Sequence, residues 1–134
     1  MAIAPRDDAL RVEGMDNLFC GGEKAGTLVG HTEAMLTGSL SGRNAARFAE
    51  GQVPVVLPET LACGDIIAKC NRDMRLGPGL SAKYTFSGSV YFGHMKDAGL
   101  YTDDPEVAHR RVREVGFDGF FGPNRFLEEC AATI

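Results

Sequence analysis

The stretch from residue 15 to residue 50, MDNLFCGGEKAGTLVGHTEAMLTGSLSGRNAARFAE, constrains the fold more than any other. It opens on the apolar run Leu18, Phe19 and Cys20, followed at once by Gly21 and Gly22. Such a run predicts a short, central strand over residues 17–21 whose end comes close to something else. Glu23 ends the strand, and Gly26 and Gly30 frame a loop in which the backbone can turn or approach a ligand without Cβ obstruction. From Thr32 the pattern is helical through Glu50. Thr32 is the expected N-cap, Glu33 lies in the first turn where a carboxylate meets the positive helix end, and Gly51 is a natural C-cap.

Gly38 and Gly42 fall inside that helix, where each costs about 1 kcal/mol relative to Ala. With Ala34, Ala45, Ala46 and Ala49 they form a ridge of small residues at spacings of three and four. The expectation is a close neighbour along that ridge, either the strand's sheet or a flat cofactor.

These motifs resemble the last cofactor-binding segment of two-dinucleotide-binding-domain flavoproteins, in which a strand ends in a Gly–acid pair. The closer resemblance is to the glucose-inhibited division protein A family and the related folate-dependent tRNA uridine methyltransferases. Their signature runs G-Q-x-x-G, then G-Y-x-E-[AS]-A, then G-x-x-A-G-x-N-A. This chain reads GEKAG from Gly22, GHTEAM from Gly30 and GSLSGRNA from Gly38, with Glu23 in place of glutamine, His31 in place of tyrosine and a loop one residue longer. Weaker likeness to the methyltransferases continues through QVPVVLPETLACGDIIAKC. The resemblance implies an α/β to α+β fold: the last strands and long helix of an FAD/NAD(P)-binding, glutathione-reductase-like domain over residues 1–58. A mostly helical C-terminal region with a short β hairpin follows over residues 59–134. It also implies FAD as cofactor, with Gly22, Glu23, Gly30, His31, Thr32 and Glu33 at its site.

A chain of 134 residues, 44% hydrophobic and 24% charged, is sized for one modest core. Its formal net charge of −4 argues against a nucleic-acid surface on this piece alone. No apolar run approaches the roughly 20 residues that span a bilayer, and residues 1–4 are too short for a signal peptide, so a cytoplasmic location without membrane contact is expected. Cys20, Cys63, Cys70 and Cys130 show no CxxC pair and no metal-ligand rhythm with His31, His94 or His109, which predicts reduced thiols and no metal. Cys20, on the cofactor strand, is a redox candidate or a packing residue. A complete enzyme of the resembling type carries an N-terminal GxGxxG turn, and none occurs here. The expected reading is the C-terminal part of a larger flavoprotein, a shortened chain or a separately encoded subunit. It would need the N-terminal FAD-binding region or a partner subunit, and would self-associate when isolated. tRNA is a partner only for the full enzyme.

Elsewhere, ALRVE over residues 9–13 alternates like a short strand. Pro54 and Pro58 keep VPVVLP extended, and a helix from Glu59 or Thr60 to Asn71 buries Leu61, Ile66, Ile67 and Cys70. Arg72 and Arg75 then face either a phosphate or a solvent edge, before the breaker MRLGPGL at 74–80. YTFSGSVYF at 84–92 is the richest β signal of the second half, read as a hairpin turning at 87–89 or a single bulged strand, with a helical turn over 94–100. Asp104, Pro105 and Glu106 start a helix that ends at Val115 before Gly116, with Val107, Ala108, Val112 and Val115 buried. Arg110, Arg111 and Arg113 form its solvated face, or a phosphate or RNA contact. Phe117, Phe120 and Phe121 form a hydrophobic plug under a last helix over 124–132, or an aromatic patch for stacking bases.

Chemically, Glu23 is an acceptor fixed for a sugar-like hydroxyl. The amides of residues 30–33 lack intrahelical partners and carry the positive end of the dipole. Aimed at the carbonyl edge of an isoalloxazine ring, they act as an oxyanion hole does. His31 and Lys24 are further candidates beside that edge. Two functions follow: the cofactor-binding C-terminal segment of an FAD-dependent oxidoreductase related to tRNA uridine-modifying flavoproteins, not catalytic alone, or a non-catalytic assembly module that binds no flavin by itself.

Overall fold

Asp7 bends the N-terminal segment away from strand geometry. Its carboxylate accepts the amides of Ala9 at 3.0 Å and Arg11 at 2.9 Å, and its carbonyl accepts Leu10 N at 2.9 Å. Leu10 is thereby carried to a φ of 66°, the left-handed region that a branched residue enters only under such constraint. A computed structural model describes residues 4–23, 26–76 and 81–122, and in it residues 9–13 are not a strand. Isolated bridges join Arg6 to Val12, Arg11 to Phe19 and Leu28 to Tyr84. The expected central strand at 17–21 is overturned as well: Leu18 is 42% exposed, while Phe19 and Cys20 are half-buried. The described residues hold no sheet, so the α/β to α+β expectation is corrected to a helical fold: α1 (His31–Ala49), α2 (Ala62–Arg75), α3 (Val90–Asp97) and α4 (Pro105–Glu114).

The helix read from the long motif is present, one residue earlier than expected at each end. Gly30, not Thr32, is its N-cap. Its glycines, however, face the other way: Gly38 and Gly42 are exposed, with nothing within 4 Å of a Cβ placed on either. The buried face consists of Glu33, Thr37, Leu40, Ser41 and Asn44, four of them polar. Close approach occurs instead at Gly21, where a Cβ would meet the Thr37 carbonyl and lie 2.7 Å from Gly38 N. The glycine of the incoming segment, rather than those of the helix, lets the two backbones touch.

That polar face replaces a sheet's hydrogen bonding with side chains. Asn44 Nδ2 donates to Ala9 O at 2.9 Å and Val55 O at 2.8 Å, while its Oδ1 accepts Val55 N at 2.7 Å. Arg47 adds a bond to Val53 O at 2.9 Å. The extended segment over 52–58 is thus fastened to α1 one residue at a time, and buries Leu57. Next, α2 packs Ile66, Ile67, Ala68 and Cys70 into a core shared with Leu10, Leu28, Leu40 and Tyr91. It starts at Ala62 and runs to Arg75, later at both ends than the sequence pattern indicated. Arg72 pairs with Glu59 at 2.8 Å and Arg75 with Glu13 at 2.6 Å, both at the exposed edge, which decides for the solvent side over a phosphate.

The hairpin expected at 84–92 is a turn followed by α3. Ser89 Oγ accepts Tyr91 N at 3.2 Å and Thr85 N at 3.2 Å and donates to Thr85 O at 2.9 Å. This local capping starts a helix where aromatic composition suggested β structure. Tyr91, fully buried, donates its hydroxyl to Asp65 Oδ2 at 2.8 Å and to Ala62 O at 3.0 Å, and His94 Nε2 lies 2.9 Å from the same Asp65 oxygen.

The chain divides into two compact units, Met1–Tyr101 and Thr102–Ile134. Within the second, α4 has the expected start: Asp104 Oδ1 accepts Glu106 N at 2.9 Å and Pro105 is the first helical residue. None of its residues is buried, however, which corrects the buried face read from Val107, Ala108 and Val112; Val115, its C-cap, is half-buried too. Arg110 lies 4.0 Å from Glu114, a solvated i, i+4 pair. Phe117, Phe120 and Phe121 meet edge to face at 5.0 and 4.8 Å, with Phe121 half exposed. The expected last helix at 124–132, Lys24, Cys130 and most of the 74–80 breaker lie outside the described residues. Among those described, no helix is long and apolar enough to cross a membrane.

Candidate functional site: the glycine–acid loop at the start of the long helix

Two fastenings hold the loop between Cys20 and Gly30. At its base, Arg6 is 1% exposed and donates from Nη1 to Cys20 O at 2.8 Å. A Cβ on Gly26 would stand 2.6 Å from Arg6 Nη2, so the guanidinium accounts for glycine there. Burial pushes the Arg6 pKa down, opposed by the nearby sulfurs of Cys70 and Cys20. At the helix side, Gly22 N donates to Thr37 Oγ1 at 2.8 Å, and that hydroxyl donates to Glu33 O at 2.8 Å. Gly22 has a φ of 91°, a conformation that glycine takes without strain.

Glu23 is exposed, and its Oε1 accepts Gly30 N at 3.1 Å. The acid and the helix start, seven residues apart, are therefore joined directly. Gly30 has a φ of 125°, and a Cβ there would strike the Glu33 carboxylate, so conformation and space both require glycine. The first bond of α1 runs from Ala34 N to Gly30 O at 3.0 Å, which leaves the amides of His31, Thr32 and Glu33 ahead of the helical ladder. His31 and Thr32 are exposed. Glu33 is not: at 2% exposure its carboxylate Oε1 accepts Phe86 N at 2.5 Å.

Six residues singled out in the sequence thus converge, but in different capacities. Gly22 and Gly30 shape the turn, Glu23 offers an acceptor, His31 and Thr32 offer amides on the exposed side, and the Glu33 side chain faces inward. Thr37, Phe86 and Asn44 were missed. The polar positions 33, 37, 41 and 44, at spacings of four and three, were the signal for a helix whose inner face bonds to backbone. Cys20 and Cys63 are half-buried and Cys70 is buried, all three free thiols; burial pushes the Cys63 thiol up, which argues for packing. No group of His, Cys, Asp and Glu among the described residues has the arrangement of a metal site.

The glycine–acid loop thus places an exposed carboxylate beside the first-turn amides of α1. Residues 2–53 match the family model of glucose inhibited division protein A. Methylenetetrahydrofolate–tRNA-(uracil-5-)-methyltransferase TrmFO from Bacillus cereus is 43% identical over 51 residues, 38% of this chain and 12% of the relative. The corresponding proteins of Bacillus cytotoxicus and Bacillus mycoides match with the same figures. The matched segment is therefore similar to glucose inhibited division protein A and to TrmFO, the resemblance that its motifs indicated. It corresponds to about an eighth of the length of those relatives. No solved structure matches the chain significantly.

Proposed function

We propose that Gly22, Glu23 and residues 30–33 form the FAD-binding end of a flavin-dependent oxidoreductase related to tRNA uridine-modifying proteins. The chain acts with an FAD-binding region or partner subunit that supplies the dinucleotide-binding turn. The observation that carries this reading is the bond between Glu23 Oε1 and Gly30 N, which holds an exposed carboxylate beside the open amides of residues 31–33. The donor set fits the group. A carboxylate has about four acceptor positions, so one bond to Gly30 leaves Glu23 capacity for a ribityl hydroxyl. The amides, at the positive end of α1, favour negative charge at the carbonyl edge of the ring system. FAD, when bound, supplies two-electron redox chemistry; the chain positions it and shapes the field. His31, exposed next to these amides, is a candidate to exchange a proton there.

The test is a flavin-fluorescence titration of the chain together with its FAD-binding partner region. Glu23→Ala removes a charge-assisted hydrogen bond and weakens FAD by about tenfold to a hundredfold. Glu23→Gln costs less, because an amide oxygen still accepts. Equal affinity of wild type and Glu23→Ala overturns the assignment. The helical fold favours a second reading, a non-catalytic assembly module, since the sheet of a dinucleotide-binding domain is not formed by the described residues. A protein that remains colourless with its partner region present decides for the module.

A further inference from the structure

The start of α1 is held by a buried carboxylate that a distant loop reaches with one amide. Glu33 accepts Phe86 N, and its carboxyl carbon lies 3.3 Å from the point where a Gly30 Cβ would be, with Thr85 Oγ1 3.7 Å from that point. The loop carrying Phe86 is itself in fixed register, through Val29 N to Tyr84 O at 3.0 Å and Tyr84 N to Thr27 O at 2.9 Å. Phe86 lies beyond residues 2–53, so this clamp joins the family-matched segment to a part of the chain that the match does not reach.

We propose that Glu33 is a positioning residue for the flavin site: by holding Phe86 N and packing against Gly30, it sets the direction of the amides at 31–33 and the reach of Glu23. The inference rests on the flavin reading given above. It makes the 84–86 loop a second support of the same site. The Glu33 side chain faces away from the ligand and acts through Gly30, whose amide carries Glu23 on one side and whose α-carbon faces the Glu33 carboxylate on the other. A substitution that keeps the acceptor therefore keeps the site, and one that removes it lets the helix start relax.

The experiment combines amide NMR of the chain without flavin and FAD titration with its partner region, for wild type, Glu33→Gln and Glu33→Ala. In Glu33→Ala the amide resonances of residues 30–32 move, and exchange at Phe86 quickens by about tenfold or more. With the partner region, its FAD affinity falls by about tenfold and the visible flavin band shifts. Glu33→Gln, which still accepts Phe86 N, restores both readouts to within about threefold of wild type. If Glu33→Ala fails to fold, Phe86→Pro deletes the donor with Glu33 intact and gives the same losses. Two results overturn the inference alone: wild type and Glu33→Ala binding FAD equally with unmoved amides, or Glu33→Gln losing as much as Glu33→Ala. A wild type that takes no FAD overturns the flavin reading, and this inference with it.

Discussion

Asn44 uses its amide almost to capacity. Three backbone groups from two irregular segments, Ala9 O, Val55 O and Val55 N, end on one fully buried side chain. Asn44→Ala leaves all three without this partner, the Ala9 bond in the interior and the two Val55 bonds part-buried; at about 1–3 kcal/mol for a fully buried group and less for the others, a loss of about 2 kcal/mol or more is expected in urea unfolding. An unchanged urea midpoint would contradict the role given to this side chain. Gly42 is the opposite case. It lies inside α1, is exposed, and offers open space to a Cβ. Gly42→Ala should stabilise the protein by up to about 1 kcal/mol, visible as a higher melting temperature. The sequence pattern argued for crowding at this position. Spacing alone identifies a stripe of small residues, but not which side of the helix the rest of the chain takes.

Among the elements, α1, α2 and α4 were legible, and their legibility had local causes. Asp104, Pro105 and Glu106 carry their signal within one turn, and the long helix needs only its own periodicity. What failed were the strands, because a strand exists only through a partner. Asp7 diverts residues 9–13, and the groups that Asn44 takes up leave no ladder to form. Similarly, Ser89 turns an aromatic, β-prone stretch into the start of α3. In the candidate site, the glycine positions were legible as turns, since Gly22 and Gly30 both take a positive φ, whereas the inward direction of the Glu33 side chain depends on the distant Phe86 and was not. The joins of α2 to its neighbours should show in the pH dependence of stability. Burial and then the hydrogen bond to Asp65 push the Tyr91 hydroxyl well above its usual range, as burial and Asp73 do for Tyr84. For such raised groups the stabilisation is complete below about pH 10, the unfolded tyrosine value, and is lost as pH climbs toward the folded values. On the acid side, burial raises the Asp73 carboxyl, but bonds from Tyr84 and Lys69 with the charges of Lys69 and Arg72 outweigh it and hold the pKa down. That contribution is present above about pH 4 and disappears as pH falls through the folded value. Melting temperatures across pH should therefore decline on both limbs. Asp73→Asn should flatten the acid limb and Tyr91→Phe the alkaline one.

At the scale of the whole molecule, the two units differ in how much they bury. The first contains every buried residue of the helices, whereas α4 has none. Hydrogen exchange followed by mass spectrometry should find α1 and α2 well protected and α4 exchanging faster. Equal protection would mean that α4 is covered in solution. One feature of the first unit reaches beyond its equilibrium structure. The N-terminal segment is tied to the last turns of α2: Asn71 to Asp7 O at 3.1 Å and Asp8 at 2.8 Å, and Arg75 to Arg6 O at 3.0 Å and Glu13 at 2.6 Å. These bonds bridge 62 to 69 positions of sequence, so their loops close late and at an entropic cost that the local turns avoid. During synthesis the residues ahead of the glycine–acid loop therefore emerge well before the helix that holds them, and they settle only after it. Arg6, which anchors the base of the glycine–acid loop, is itself held at its carbonyl by a residue 69 positions later, so this anchor should be among the last contacts to set as the chain folds.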